Sequence, residues 1–145
     1  MPDDIVIESA RQLIGARFTN TSPILPRNET LHDFLLTRLG ARDHEVFAVI
    51  LLDVADRLIE YVELFRGDIA GAPAYPREVL KWVIATRATA VLVAHNHPSR
   101  CANPSYNDIA TTRRLNEVLG CINVALRNHL IVGDTIVSLR DRGVF

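Results

Sequence analysis

Residues 45–53 read EVFAVILLD. The positions from Val46 to Leu52 are apolar without interruption. Neither alternating face is polar, which is the pattern of a strand buried on both sides within a sheet. The turn-like Asp53-Val-Ala-Asp56 follows, and RLIEYVELF (57–65) supplies an antiparallel partner. TAVLVAH (89–95) is a short β-branched run and a second buried strand. Between them Gly67 to Tyr75 reads as loop. Pro76 then suits the first position of an amphipathic helix continuing REVLKWVIATR, with Trp82 on its core face. A loop holding Pro98 and Pro104 leads into a helix from Ser105 to about Leu119, ended by Gly120. INVALRNHLIVG and TIVSL form a hairpin around Gly133-Asp134. Upstream, Asn28 or Thr30 caps a short helix running to Leu39 and closed by Gly40. This order predicts an α/β domain of the α+β three-layer kind over residues 28–145. Residues 1–27 divide into a helix over 5–18, with Ile7, Ala10 and Ile14 on one face, and a Pro-, Ser-, Thr- and Asn-rich linker, Thr19 to Arg27.

Composition bounds the function classes. The chain has 145 residues, 48% of them hydrophobic, enough for one domain with a sizeable core. Its 16 basic residues are balanced by 17 acidic ones, so bulk charge does not recruit polyanions, and direct nucleic-acid binding would need a local patch. Arg113, Arg114, Arg127, Arg140 and Arg142 are the candidates for one, against a plain solvated face. Two cysteines are too few for a disulfide-stapled secreted scaffold, and a packed thiol is the expected state of Cys101. No signal peptide is visible behind Asp3, Asp4 and Glu8, and the longest apolar run falls far short of a membrane span. A soluble, cytoplasmic protein without a membrane partner is expected.

The stretch with chemistry in it is VAHNHPSRCANPSYNDI (93–109). In an extended chain residues i and i+2 project from the same face, so His95 and His97 present two imidazoles side by side at a strand end. Asp108 follows His97 by eleven positions. With Ser105 as N-cap it occupies the first turn of the next helix. Two imidazoles and one carboxylate leave a tetrahedral zinc ion one open position, the arrangement of catalytic zinc. Other readings stand beside this one. An HxH pair often binds nothing, Ser105-x-x-Asp108 is also a capping box, and Asn96-His97-Pro98 also reads as a turn. Spacing alone leaves these open.

The wording HNHP, the interval from the second histidine to the aspartate, and SxxD at the helix start closely resemble the JAMM (MPN+) metalloprotease signature. With YPREVLKWVI before it and HLIVGD and SLRDRG after it, the chain is similar to the RadC family, in its short, single-domain form. The likeness is close over residues 30–145 and loose over the N-terminal helix. It implies a JAB/MPN-like fold, a cytidine-deaminase-like central mixed β-sheet flanked by helices. It also implies one zinc ion (Zn2+) held by His95, His97 and Asp108, Ser105 supporting a developing oxyanion, and Glu45, which opens EVFAVILL, as general base. Glu60 and Glu63 on the next strand are lesser candidates for that acid. The implied reaction is hydrolysis of an amide or isopeptide bond in a protein or peptide substrate.

The chain also departs from the family pattern. Family members read HNHPSG, whereas here Ser99 is followed by Arg100 and Cys101, which makes a positive φ at position 100 costlier or gives Arg100 an acidic substrate group to bind. Asp68 and Asn128 stand where threonine and aspartate are usual, differences expected to bear on substrate handling. His129, on strand periodicity, reads as a structural histidine, and His32 and His44 as surface residues. The lack of a PCxxC element argues against a zinc deaminase. Two other function classes remain beside the hydrolase. One is a non-catalytic MPN-type binding module, although such modules typically lack the ligands. The other is a DNA-repair accessory, suggested by the family's traditional label.

Overall fold

The computed structural model describes residues 29–66 and 75–145. Within them the order is α1 (Glu29–Leu39), β1 (Val46–Leu52), β2 (Leu58–Arg66), α2 (Tyr75–Thr86), β3 (Ala90–Asn96), α3 (Tyr106–Cys121), β4 (Ala125–Val132) and β5 (Ile136–Ser138). The strands form one mixed sheet ordered β2-β1-β3-β4-β5, in which β3 and β4 are parallel and every other neighbouring pair is antiparallel. The apolar runs are its centre: every residue of β1 and β3 is buried. A parallel pair needs a long crossover, and α3 provides it between β3 and β4.

Strand alternation sorts the core into two layers. Val46, Ala48, Ile50 and Leu52, with Ala90, Leu92 and Ala94, meet Leu31, Phe34, Leu35 and Leu39 of α1, which share one side of that helix. Phe47, Val49 and Leu51, with Val91 and Val93, meet Val79 and Val83 of α2 and Leu115 and Leu119 of α3, and Trp82 packs half-buried against them. The three-layer α/β expectation therefore holds. His95 continues the odd-numbered row of β3 and faces the α3 layer. Beside the sheet, the buried carboxylate of Glu63 is gripped by Arg38 at 3.2 Å and Arg42 at 3.0 Å and accepts a hydrogen bond from Tyr61. Burial, with Glu63 adding to it, pushes the Tyr61 phenol far up, so it stays a donor.

The turn at Asp53 is as expected: its carboxylate accepts the N–H groups of Ala55 and Arg57, both at 2.9 Å. Three boundaries differ from expectation. Helix α3 runs past Gly120 to Cys121, and the chain turns away only at Asn123, which adopts φ 58°. Asparagine tolerates that left-handed conformation, while a Cβ at Gly120 would meet nothing. Helix α1 begins at Glu29, ahead of Thr30, so Thr30 is not its cap; α2 begins at Tyr75, one residue before the expected Pro76. Asn28, the 5–18 helix, the 19–27 linker and the 67–74 segment with Asp68 lie outside the described residues. Among the described residues no helix is long and apolar enough to cross a membrane.

Candidate metal centre

At the C-terminal end of β3, ligating atoms of Glu45, His95, His97 and Asp108 all lie within 4.8 Å of one another. The Nε2 atoms of His95 and His97 are 3.1 Å apart. Asp108 reaches both rings, with Oδ1 3.1 Å from His95 Nε2 and Oδ2 3.0 Å from His97 Nε2. Glu45 comes from the residue before β1 and stands farther off, its Oε1 3.8 Å from His95 Nε2 and its side chain half exposed. The structure thus brings together the three residues the sequence offered as ligands, from a strand end and a helix start, and sets beside them Glu45, which the sequence offered as the base. Glu60 and Glu63 are not among them.

Asp108 serves two ends at once. Its Oδ2 accepts the Ser105 N–H at 2.8 Å, and Ser105 Oγ accepts the Asp108 N–H at 3.0 Å. The capping-box and ligand readings are therefore compatible, since the box aims the carboxylate at the imidazoles. Ser105 itself is exposed at the N-cap, with its hydroxyl proton directed by neither of these bonds. Burial opposes ionisation of Asp108, but the hydrogen bond and charge of a doubly protonated His95, together with the Ser105 backbone N–H, outweigh it and hold the carboxyl well below the usual carboxylate range.

The loop after β3 orients His97. Its Nδ1 lies 2.8 Å from the Cys101 carbonyl, which can only accept, so that nitrogen carries the proton and Nε2 is turned to the site. The expected packed thiol is not found: Cys101 is exposed, and it contributes its backbone carbonyl, because the turn at Arg100 directs that carbonyl inward. Arg100 sits at φ 68°, the conformation for which a glycine would have been the cheaper residue. Its carbonyl accepts the Asp134 N–H at 2.8 Å, and its guanidinium, 3.9 Å from the Asp134 carboxylate, is largely exposed.

Three supporting residues were given no role of their own by the sequence. Asn96 is buried, donates from Nδ2 to the His44 carbonyl at 2.9 Å and accepts the Val46 N–H at 2.7 Å. These two groups flank Glu45, so the asparagine sutures that residue to the end of β3. Phe47 stacks on His95 with ring centroids 6.3 Å apart. Thr112, one turn after Asp108, places its hydroxyl 2.6 Å from Nδ1 of His129, whose Nε2 lies 2.7 Å from His95 Nδ1. His129 is therefore structural, as expected, but what it supports is a candidate ligand, His95. Burial, reinforced by the neighbouring His95, lowers its pKa well below the ordinary histidine value. Asn128 faces the other way and ties β4 to β5 through Ser138 and the Arg140 N–H, a packing role where substrate handling had been expected.

The donor set fits a divalent cation. Two ring nitrogens and two carboxylate oxygens converge at about hydrogen-bond separation, while the far nitrogen of each ring is engaged elsewhere. At most one proton fits between two Nε2 atoms, whereas a single cation satisfies the whole group. The arginines suspected of forming a basic patch are largely occupied. Arg127 pairs with Asp56 at 3.0 Å, Arg113 binds the Val144 carbonyl, and Arg140 binds the carbonyls of Leu126 and Arg127 beneath the Phe145 ring.

Comparison with known proteins agrees with this geometry. The family model described as RadC-like JAB domain matches residues 25–144. A UPF0758 protein of Cellvibrio japonicus is 48% identical over 139 residues, covering 95% of this chain and 62% of its own length. One from Marinobacter nauticus is 43% identical over the same number of residues, again covering 95% and 62%. One from Shewanella amazonensis is 48% identical over 141 residues, covering 94% and 60%. The chain thus spans about three fifths of the length of these relatives.

Proposed function

This chain belongs to the RadC-like JAB domain family, and from that premise we propose that it is a zinc-dependent metallohydrolase, of peptidase or isopeptidase type, that cleaves an amide bond in a protein or peptide. The observation that carries this reading is the convergence of His95, His97 and Asp108 beside a half-exposed carboxylate, Glu45. His95, His97 and Asp108 would hold the ion. A zinc ion so held supplies Lewis acidity, lowering the pKa of water toward about 7 and polarising a carbonyl.

The remaining work falls to the chain itself. Glu45 accepts the proton of the attacking water and passes it to the departing amine, which its exposure and its position beside the ligands allow. Ser105 keeps a hydroxyl proton to donate to the oxyanion that develops on the substrate carbonyl, a contribution of roughly 2–4 kcal/mol in comparable sites. Asn96 holds the backbone on both sides of Glu45, so the base does not drift from the reacting atoms. Arg100, exposed at the lip, is placed to meet an acidic group of the substrate. The reaction belongs in the cytoplasm, where the exposed thiols of Cys101 and Cys121 remain reduced.

The test uses a panel of fluorogenic peptide and isopeptide-linked substrates with zinc-loaded and chelator-treated protein. Hydrolysis should require zinc. Glu45→Gln should keep the metal and lose about 10²–10⁴-fold in kcat, the usual contribution of a general base. Hydrolysis that survives chelation, or a Glu45→Gln protein as fast as the wild type, would contradict the proposal.

A further inference from the structure

Thr112 is fully buried, and its hydroxyl lies 2.6 Å from the Asp108 backbone carbonyl as well as 2.6 Å from His129 Nδ1. A carbonyl has no hydrogen to offer, so the single hydroxyl proton must lie between those two oxygens. The Thr112 oxygen is then left as acceptor toward His129, whose Nδ1 must carry a proton. His129 is itself buried, and no carboxylate is among its hydrogen-bonded partners, so the relay is read for its neutral form, with one ring proton. Its Nε2 is therefore a bare lone pair. The atom 2.7 Å from that lone pair is His95 Nδ1, which must supply the proton of the bond. His95 Nε2, the nitrogen facing Asp108 and His97, is thereby the one left for a metal.

We propose that Thr112 and His129 form a hydrogen-bond relay that pins the proton of His95 on Nδ1 and so sets the metal affinity of the site. This rests on the metal-centre reading given above. Both are positioning residues that act through His95. The relay is closed through α3, because the helical turn that carries Asp108 also carries Thr112. Without the hydroxyl, His129 is free to take the opposite tautomer and donate from Nε2 to His95. His95 would then hold its proton on Nε2, where Asp108 Oδ1 at 3.1 Å would accept it in competition with a metal. Partners of this kind are worth about 10–100-fold in metal affinity.

Two variants separate the relay from simple packing. Thr112→Val keeps the shape and removes the hydroxyl; Thr112→Ser keeps the hydroxyl. Long-range 1H–15N spectra of metal-free protein, at a pH where His95 is neutral, read which of its ring nitrogens is protonated. Zinc Kd is measured by competition with a chelator. The wild type and Thr112→Ser should show His95 protonated on Nδ1 and bind zinc alike. Thr112→Val should show the Nε2-protonated form and bind zinc about 10–100-fold more weakly. The relay is overturned if metal-free wild type carries the neutral His95 proton on Nε2, or if Thr112→Val binds zinc as tightly as wild type. A wild type that takes up no zinc would instead refute the metal-centre reading, and its nitrogen shifts would still decide the relay. The wild-type spectrum also decides it should the valine variant not fold.

Discussion

Gly133→Ala is predicted to damage the site from the far side of the loop that holds His97. A Cβ built on Gly133 would stand 2.4 Å from the Arg100 carbonyl oxygen and 2.8 Å from the Ala102 nitrogen, both backbone atoms that cannot swing aside. Relief requires about 1 Å of movement of the 100–102 segment, judged against ordinary contact at 3.4 Å or more. Overpacking of that kind costs about 1–3 kcal/mol. The same shift breaks the bond from Asp134 N–H to the Arg100 carbonyl, now 2.8 Å, at about 1 kcal/mol more. The expected loss is about 2–4 kcal/mol, or roughly 6–12 °C in Tm for a chain of this size. Urea and thermal unfolding of the metal-free protein measure it. Because the Cys101 carbonyl that orients His97 lies in the displaced segment, zinc affinity should fall as well. A variant within 0.5 kcal/mol of wild type (~0.5 being the scatter of neutral surface changes) would refute the reasoning.

Other substitutions test neighbouring parts of the account. Arg100→Gly removes the penalty of a side chain at φ 68° and should raise stability by about 0.5–1 kcal/mol in urea unfolding; a loss of stability would contradict the strain argument. Glu63→Ala leaves Arg38 and Arg42 facing a buried tyrosine without their carboxylate, and the urea midpoint should report a loss of about 2–4 kcal/mol. Asn96→Ala deletes both bonds that flank Glu45. It should cost about 1.5–3 kcal/mol and lower hydrolysis at least tenfold at full zinc content; unchanged turnover would show that Glu45 needs no such suture.

Much of this arrangement is legible in the sequence because strand alternation and helix periodicity act over short distances. Val46 to Leu52 announces a strand buried on both faces, and His95 and His97 share a side simply because they are two residues apart. Ser105 and Asp108 announce the helix start that carries the third candidate ligand. What escaped was set by register and by hydrogen bonds between distant segments. His129 meets His95 because β3 and β4 pair Val93 with His129, an alignment no local pattern encodes. Asn96 looks like a turn residue until the end of β1 is laid beside it. Cys101 acts through its carbonyl, to which side-chain chemistry gives no clue. Thr112 was the most nearly readable, since it lies one helical turn from Asp108 and therefore on the same face.

The central claim is that His95, His97 and Asp108 hold one metal ion, and the most direct test is the zinc content of the purified chain after zinc loading and removal of the excess, compared with that of His95→Ala. The account predicts one zinc per wild-type chain and a loss of bound zinc in the variant. Substoichiometric zinc in both proteins, or equal zinc in both, would contradict it.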